Sequence, residues 1–235
     1  MSEMELQVRA GFRPAVPAAA AMGALAAAAW VALATRAAGE MSHDELLDSG
    51  HAPGPGAILA FLGFWQLMVL ATMLPPAIPA MVAGAGPARV AVREAVGLIG
   101  ATCVVWSGFA VAVLAADAVL HRGVEVWPWL ADRERLVASM VLVVAGVAQL
   151  SRIQRRALER GRAEPGAAWS AARSCLASCW VLMLVMFAVA LESLLWMAVL
   201  AIVMAVQRLV PWGIRLARAV GVALIVAGLL SALRG

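Results

Sequence analysis

A chain of 235 residues that is 64% hydrophobic and only 14% charged is not composed like a soluble domain, which is nearer half apolar and a quarter charged. The formal charge of +4, carried by 18 basic residues that are all arginine, does not indicate nucleic acid, because the arginines sit between apolar blocks rather than along one stripe. The blocks have the length of membrane spans, and a positive-inside topology accounts for the arginines between them.

The first block covers residues 15–35, with Arg9 and Arg13 ahead of it. That layout resembles a signal peptide, but a run of about 20 apolar residues is the length of a span. A polar segment follows with His43, Asp44, Glu45, Asp48 and His51. These residues could hold a divalent ion, but an eight-residue His spacing is not a zinc pattern, and a solvated acidic loop with incidental His explains it better.

The second block, 57–84, contains Pro75, Pro76 and Pro79. Proline removes a backbone donor and opens a helix, and inside a membrane the freed carbonyls must find partners in neighbours, side chains or water. Three prolines in five residues therefore predict a broken span, serving either packing or a binding site. The third block, 95–120, places Asp117 and His121 one helical turn apart near its end, on a shared face. Trp127 and Trp129 beyond it read as interfacial anchors. A short fourth block, 136–151, leads into a basic loop, Arg152 to Arg173, broken by Pro165 and Gly166.

Between Arg173 and Arg208 stand 34 residues with one charge, Glu192. As a single helix they would reach roughly 50 Å, against a hydrocarbon core of about 30 Å. Two helices, 174–191 and 193–210, with a turn near Glu192, fit better and keep the carboxylate at the interface. The last block is 216–233. The expectation is thus an all-α, polytopic transmembrane bundle of about seven spans, one domain over 1–235, with the N-terminus inside and the C-terminus outside. That arrangement leaves only Arg36, Arg122, Arg133, Arg135 and Arg234 of the 18 arginines outside, in the sense of the positive-inside rule.

Chemistry-bearing residues are concentrated in two blocks. Cys175, Cys179, Met183 and Met186 are spaced by 4, 4 and 3 residues, so they share one face of a helix. Thiolate and thioether are soft ligands suited to Cu(I); equally, Cys and Met are apolar residues in a helix that must be apolar. The broken second block adds Met68 and Met73. Met197 and Met204, with Trp196 and Gln207, form a weaker cluster after Glu192. The third cysteine, Cys103, also lies in an apolar block, which argues against a secreted disulfide framework. No phosphate-binding glycine loop, Ser/His/Asp grouping or HExxH motif is present, and three histidines are too few and too badly placed for paired haem ligation. Nothing names a substrate or a reaction.

The stretch Phe64-Trp65-Gln66-Leu67-Met68-Val69-Leu70-Ala71-Thr72-Met73-Leu74-Pro75-Pro76-Ala77-Ile78-Pro79 resembles the Trp- and Met-rich MMLPSA-P span of a bacterial membrane family. That family is labelled domain of unknown function 2182, a predicted metal-binding integral membrane protein. Cys175-Leu176-Ala177-Ser178-Cys179-Trp180-Val181-Leu182-Met183 is similar to its C-x-G-C-C-W-x-L-M, and Leu194-Leu195-Trp196-Met197-Ala198 to its N-L-L-W-M-A. Order and spacing agree from about residue 57 to the C-terminus. Ser178 stands where the family pattern has the first of two adjacent cysteines, Arg173-Ser174 where it has His-Gly, and Thr72-Met73 where it has Met-Met.

The resemblance implies a multi-pass protein of the bacterial cytoplasmic (inner) membrane that handles a soft metal, copper, with Cys175, Cys179, Met183, Met186, Met68 and Met73 as ligands. The competing expectation is a non-catalytic structural or assembly subunit of a larger membrane protein complex, favoured by the substituted ligands and the many small residues. A transporter built on the broken span is a third possibility, weakened by the lack of a matching broken helix in another part of the chain. The expected partners are the lipid bilayer and membrane proteins, not nucleic acid.

Overall fold

In the computed structural model the described residues are 3–37, 54–84, 87–126, 134–163, 167–189 and 193–233. Their regular structure is entirely helical, with no strand among them. In chain order the helices are α1 (Glu3–Ala37), α2 (Pro55–Met73), a 3-10 turn (Pro75–Ala77), α3 (Ile78–Gly84), α4 (Ala88–Val126), α5 (Glu134–Leu150), α6 (Arg152–Ala163), α7 (Ala168–Val189), α8 (Leu194–Leu209) and α9 (Gly213–Leu233).

Five of these are long and apolar enough to cross a membrane, through the stretches Ala15–Arg36, Pro55–Met73, Ala88–Ala116, Ala168–Phe187 and Gly213–Leu233. The expected fourth and sixth spans correspond to shorter apolar helices, Ala138–Leu150 and Leu194–Leu209. The apolar stretch after Arg173 is divided between α7 and α8, as its length required. Glu192 at that break lies outside the described residues, as do His43, His51, Trp127 and Trp129. Asp117 and His121 fall on α4, but their side chains lie outside what the structure describes.

The basic loop expected over Arg152–Arg173 contains a helix instead. In α6, Gln154, Ala157 and Leu158 are buried while Arg152, Arg155, Arg156 and Arg160 are exposed, a one-sided pattern at helical spacing. Ser151 caps it, its Oγ accepting from the Gln154 N–H at 3.1 Å. Arg155 and Glu159 pair at 3.6 Å across one turn.

The chain groups into two compact units, and α4, α6 and α7 each contribute one part to either. The first comprises Met1–Trp106 and Gly161–Cys175. Its core joins α1 (Ala15, Ala18, Met22, Ala26) to Leu74, to Met81 of α3 and to Ala91, Ala95 and Leu98 of α4. The α1 positions recur every three or four residues, so alanines on one face let its neighbours approach closely.

The second unit comprises Ser107–Arg160 and Leu176–Gly235. Here α5 and α9 pack backbone to backbone. A Cβ at Gly146 would lie 2.6 Å from the Gly221 carbonyl oxygen, and one at Gly228 would lie 2.7 Å from that of Ser139. Beside this contact Ala145 packs with Val181 and Val185 of α7.

Candidate metal site

The break in the second span is built as the prolines dictate. Helical geometry would have Ala71 O accept from residue 75 and Thr72 O from residue 76, but both are prolines without an N–H. The chain tightens into a 3-10 turn in which Ala77 N donates to Leu74 O at 3.0 Å. Pro79 cannot serve the Pro75 carbonyl, and the Ile78 N–H does so instead. Ala71 O is satisfied from another helix: Trp30 Nε1 of α1 donates to it at 3.1 Å. The prolines revealed that a donor was needed; nothing in the sequence said that Trp30 supplies it.

Just before this break sits Met73, the last residue of α2. Its Sδ lies 3.6 Å from Cys175 Sγ of α7, across 102 positions of sequence, with the thiol as donor. Both residues belong to the first unit, and both are buried, at 1% and 5% exposure. Two of the six sulfurs singled out in the sequence, from the two different motifs, are thereby brought together. Two sulfurs at this separation can both reach one ion at a metal–sulfur distance of about 2.3 Å.

Met68, also in the first unit, is fully buried. The Thr72 hydroxyl near it donates back to the Met68 carbonyl at 2.8 Å. The third cysteine, Cys103, is only partly buried, and its carbonyl accepts from Gln66 Nε2 at 3.0 Å, tying α2 to α4.

The rest of the α7 stripe lies in the second unit. Cys179, Met183 and Met186 are all buried, and Cys179 Sγ stands 3.6 Å from the Ser178 hydroxyl. Gln154 Nε2 of α6 donates to the Ser178 carbonyl. Half of α7's membrane-length stretch is buried, a larger share than in the other four, so the sulfurs face protein rather than lipid. None of the three cysteines is in a disulfide. Among the described residues no three His, Cys, Asp or Glu side chains gather into one metal-binding group. Met197 and Met204 share the buried face of α8 with Ala201 and Gln207.

A buried pair of soft sulfurs drawn from two distant motifs suits copper better than zinc or a hard cation. The comparison with known families points to the same metal: the model of the PpoB2 copper chaperone family matches residues 62–231. The chain belongs to the PpoB2 copper chaperone family. This narrows the metal-binding resemblance of the sequence to copper, under a family description other than the one the motifs suggested. The match begins within the broken span, ahead of its proline break, and takes in both sulfur-bearing motifs. No curated protein and no solved structure matches the chain.

Proposed function

We propose that the protein is a multi-pass carrier of Cu(I) in the bacterial cytoplasmic membrane, N-terminus inside and C-terminus outside, that binds its cargo through sulfur. Met73 and Cys175 form the centre of the binding set, with Met68 as a further thioether. Cys179, Met183 and Met186 continue the soft-donor run along α7. The observation that carries this reading is the buried contact of Met73 Sδ with Cys175 Sγ at 3.6 Å. Family membership and the membrane-length apolar helices support it.

The chemistry suits a carrier. A thioether binds Cu(I) but not hard ions, and a cysteine ligates as thiolate, so loading releases a proton. Ligands buried away from water hold the ion against bulk competitors. A site with few ligands can pass the ion on by exchanging one sulfur for a receiver's.

The test is elemental mass spectrometry of the detergent-purified protein beside two variants, Cys175→Ser/Cys179→Ser and Met73→Leu. The expected result is near-stoichiometric copper in the parent and its loss in the double variant. In Met73→Leu, which keeps the shape of the side chain, Cu(I) binding should be weaker by about tenfold or more against a chromogenic Cu(I) chelator. Full copper content in both variants would overturn the assignment. No metal in the parent after copper supplementation would leave the stripe as packing and turn attention to the structural-subunit reading.

A further inference from the structure

We propose that the second unit carries a binding site for a phosphate group, occupied by the headgroup of an anionic phospholipid. The site lies where α5 ends, α6 begins and α9 starts. Gln149, Ser151, Arg152, Arg155 and Arg218 line a cleft of about 40 Å³ floored by Leu158 and Ala217. Three arginines and no carboxylate are among its lining residues.

Gln149 points to a ligand. It is 3% exposed, and neither its Oε1 nor its Nε2 has a hydrogen-bond partner in the protein. A buried polar group left in that state costs on the order of 1–3 kcal/mol. The fold holds it there, because the tight α5–α9 crossing is adjacent: a Cβ on Gly221 would meet Gln149 Cβ at 3.1 Å and Leu150 Cγ at 3.0 Å.

The surroundings specify an anion. The first turn of α6, a helix of 12 residues, presents backbone N–H groups and the positive end of its dipole. The Ser151 hydroxyl accepts from Gln154 N and keeps its own proton to donate. Arg155 pairs with Glu159 at 3.6 Å with both side chains about half exposed, an interaction weak enough to be exchanged for a phosphate.

Two features favour a lipid over free phosphate. Met140, Val144, Val147 and Leu150 are exposed on α5 and lead along that helix to the cleft, an apolar strip on which an acyl chain can lie. The Gln149 amide asks for both an acceptor and a donor, and the phosphate and glycerol hydroxyls of phosphatidylglycerol supply both. Basic clusters at the ends of transmembrane helices recognise anionic headgroups by this chemistry.

The experiment uses the full chain in nanodiscs of phosphatidylcholine with phosphatidylglycerol, released into neutral detergent and weighed by native mass spectrometry. The parent should retain phosphatidylglycerol in preference to phosphatidylcholine. Arg152→Gln/Arg218→Gln should lower that retention about thirtyfold, and Gln149→Leu several-fold. Arg156→Gln/Arg160→Gln removes the same charge from exposed positions outside the cleft and should leave retention unchanged. Undiminished retention in the Arg152/Arg218 variant, or an equal loss in the Arg156/Arg160 control, would overturn the site. Complete displacement of the lipid by excess inorganic phosphate would uphold a phosphate site but overturn the lipid as its occupant. Copper content, read on the same samples, should not change in any of these variants.

Discussion

At the residue scale the broken second span shows how a covalent fact becomes a tertiary contact. Pro75 deprives Ala71 O of its helical donor, and Trp30 Nε1 fills the vacated position at 3.1 Å. Trp30→Phe keeps the ring but removes the N–H, so a buried carbonyl loses its partner at a cost of about 1–3 kcal/mol. The melting temperature in detergent should fall accordingly. Pro75→Ala introduces a backbone N–H where Ala71 O needs one, so the same substitution should cost much less in the Pro75→Ala background. A double-mutant cycle with no coupling between positions 30 and 75 would show that Trp30 acts only by packing. The sulfur residues were legible by a simpler rule. Side chains three and four residues apart share a helix face, and Cys175, Cys179, Met183 and Met186 do lie on the buried face of α7. What the spacing could not say is which of the 12 methionines meet Cys175, as Met73 does. That pairing depends on where the proline break leaves the end of α2, and no local pattern encodes it.

At the element scale the apolar blocks fall on helices, five of them of membrane length, because hydrophobic length is a strong signal, and the division of the long stretch after Arg173 followed from its length alone. Helix α6 was missed because its buried face is only Ala157, Leu158 and the stem of Gln154, too little to stand out among five arginines. The closeness of α5 and α9 was also invisible. Glycine in an apolar block is compatible with any neighbour, and only the fold shows Gly228 against the Ser139 carbonyl. The contact makes a sharp prediction. In Gly228→Ala the new methyl would sit 2.7 Å from Ser139 O and 2.8 Å from Val143 Cγ2, and the backbone side of that contact cannot yield. Overpacking of this kind costs about 1–3 kcal/mol. Gly100→Ala, whose Cβ would meet nothing within 4 Å, should be neutral within about 0.5 kcal/mol. Thermal unfolding of the two variants side by side separates a packing requirement from a general intolerance of alanine, and equal melting temperatures would refute the tight crossing.

At the scale of the whole molecule, the number of crossings turns on α5 and α8. At 17 and 16 residues each rises about 25 Å, slightly short of a hydrocarbon core of about 30 Å, a mismatch that local thinning or flanking arginines can absorb. If both cross, or neither does, the number of crossings is odd and the two ends of the chain would fall on opposite sides of the membrane; if only one crosses, they would share a side. The location of α6 differs. If α5 crosses, Arg152, Arg155, Arg156 and Arg160 lie inside with the other basic segments; if it does not, they lie outside, against the positive-inside rule. The α6 arginines therefore predict that α5 crosses, and Arg208, Arg215 and Arg218, which a crossing α8 would place inside as well, predict the same for α8. An engineered Arg156→Cys, exposed on α6, should resist a membrane-impermeant maleimide in intact cells and react once the membrane is opened. The native Cys175 and Cys179 are buried and should contribute little background, which the parent protein calibrates. Labelling of the intact cells would instead put α6 outside and leave α5 as a helix packed at the membrane surface.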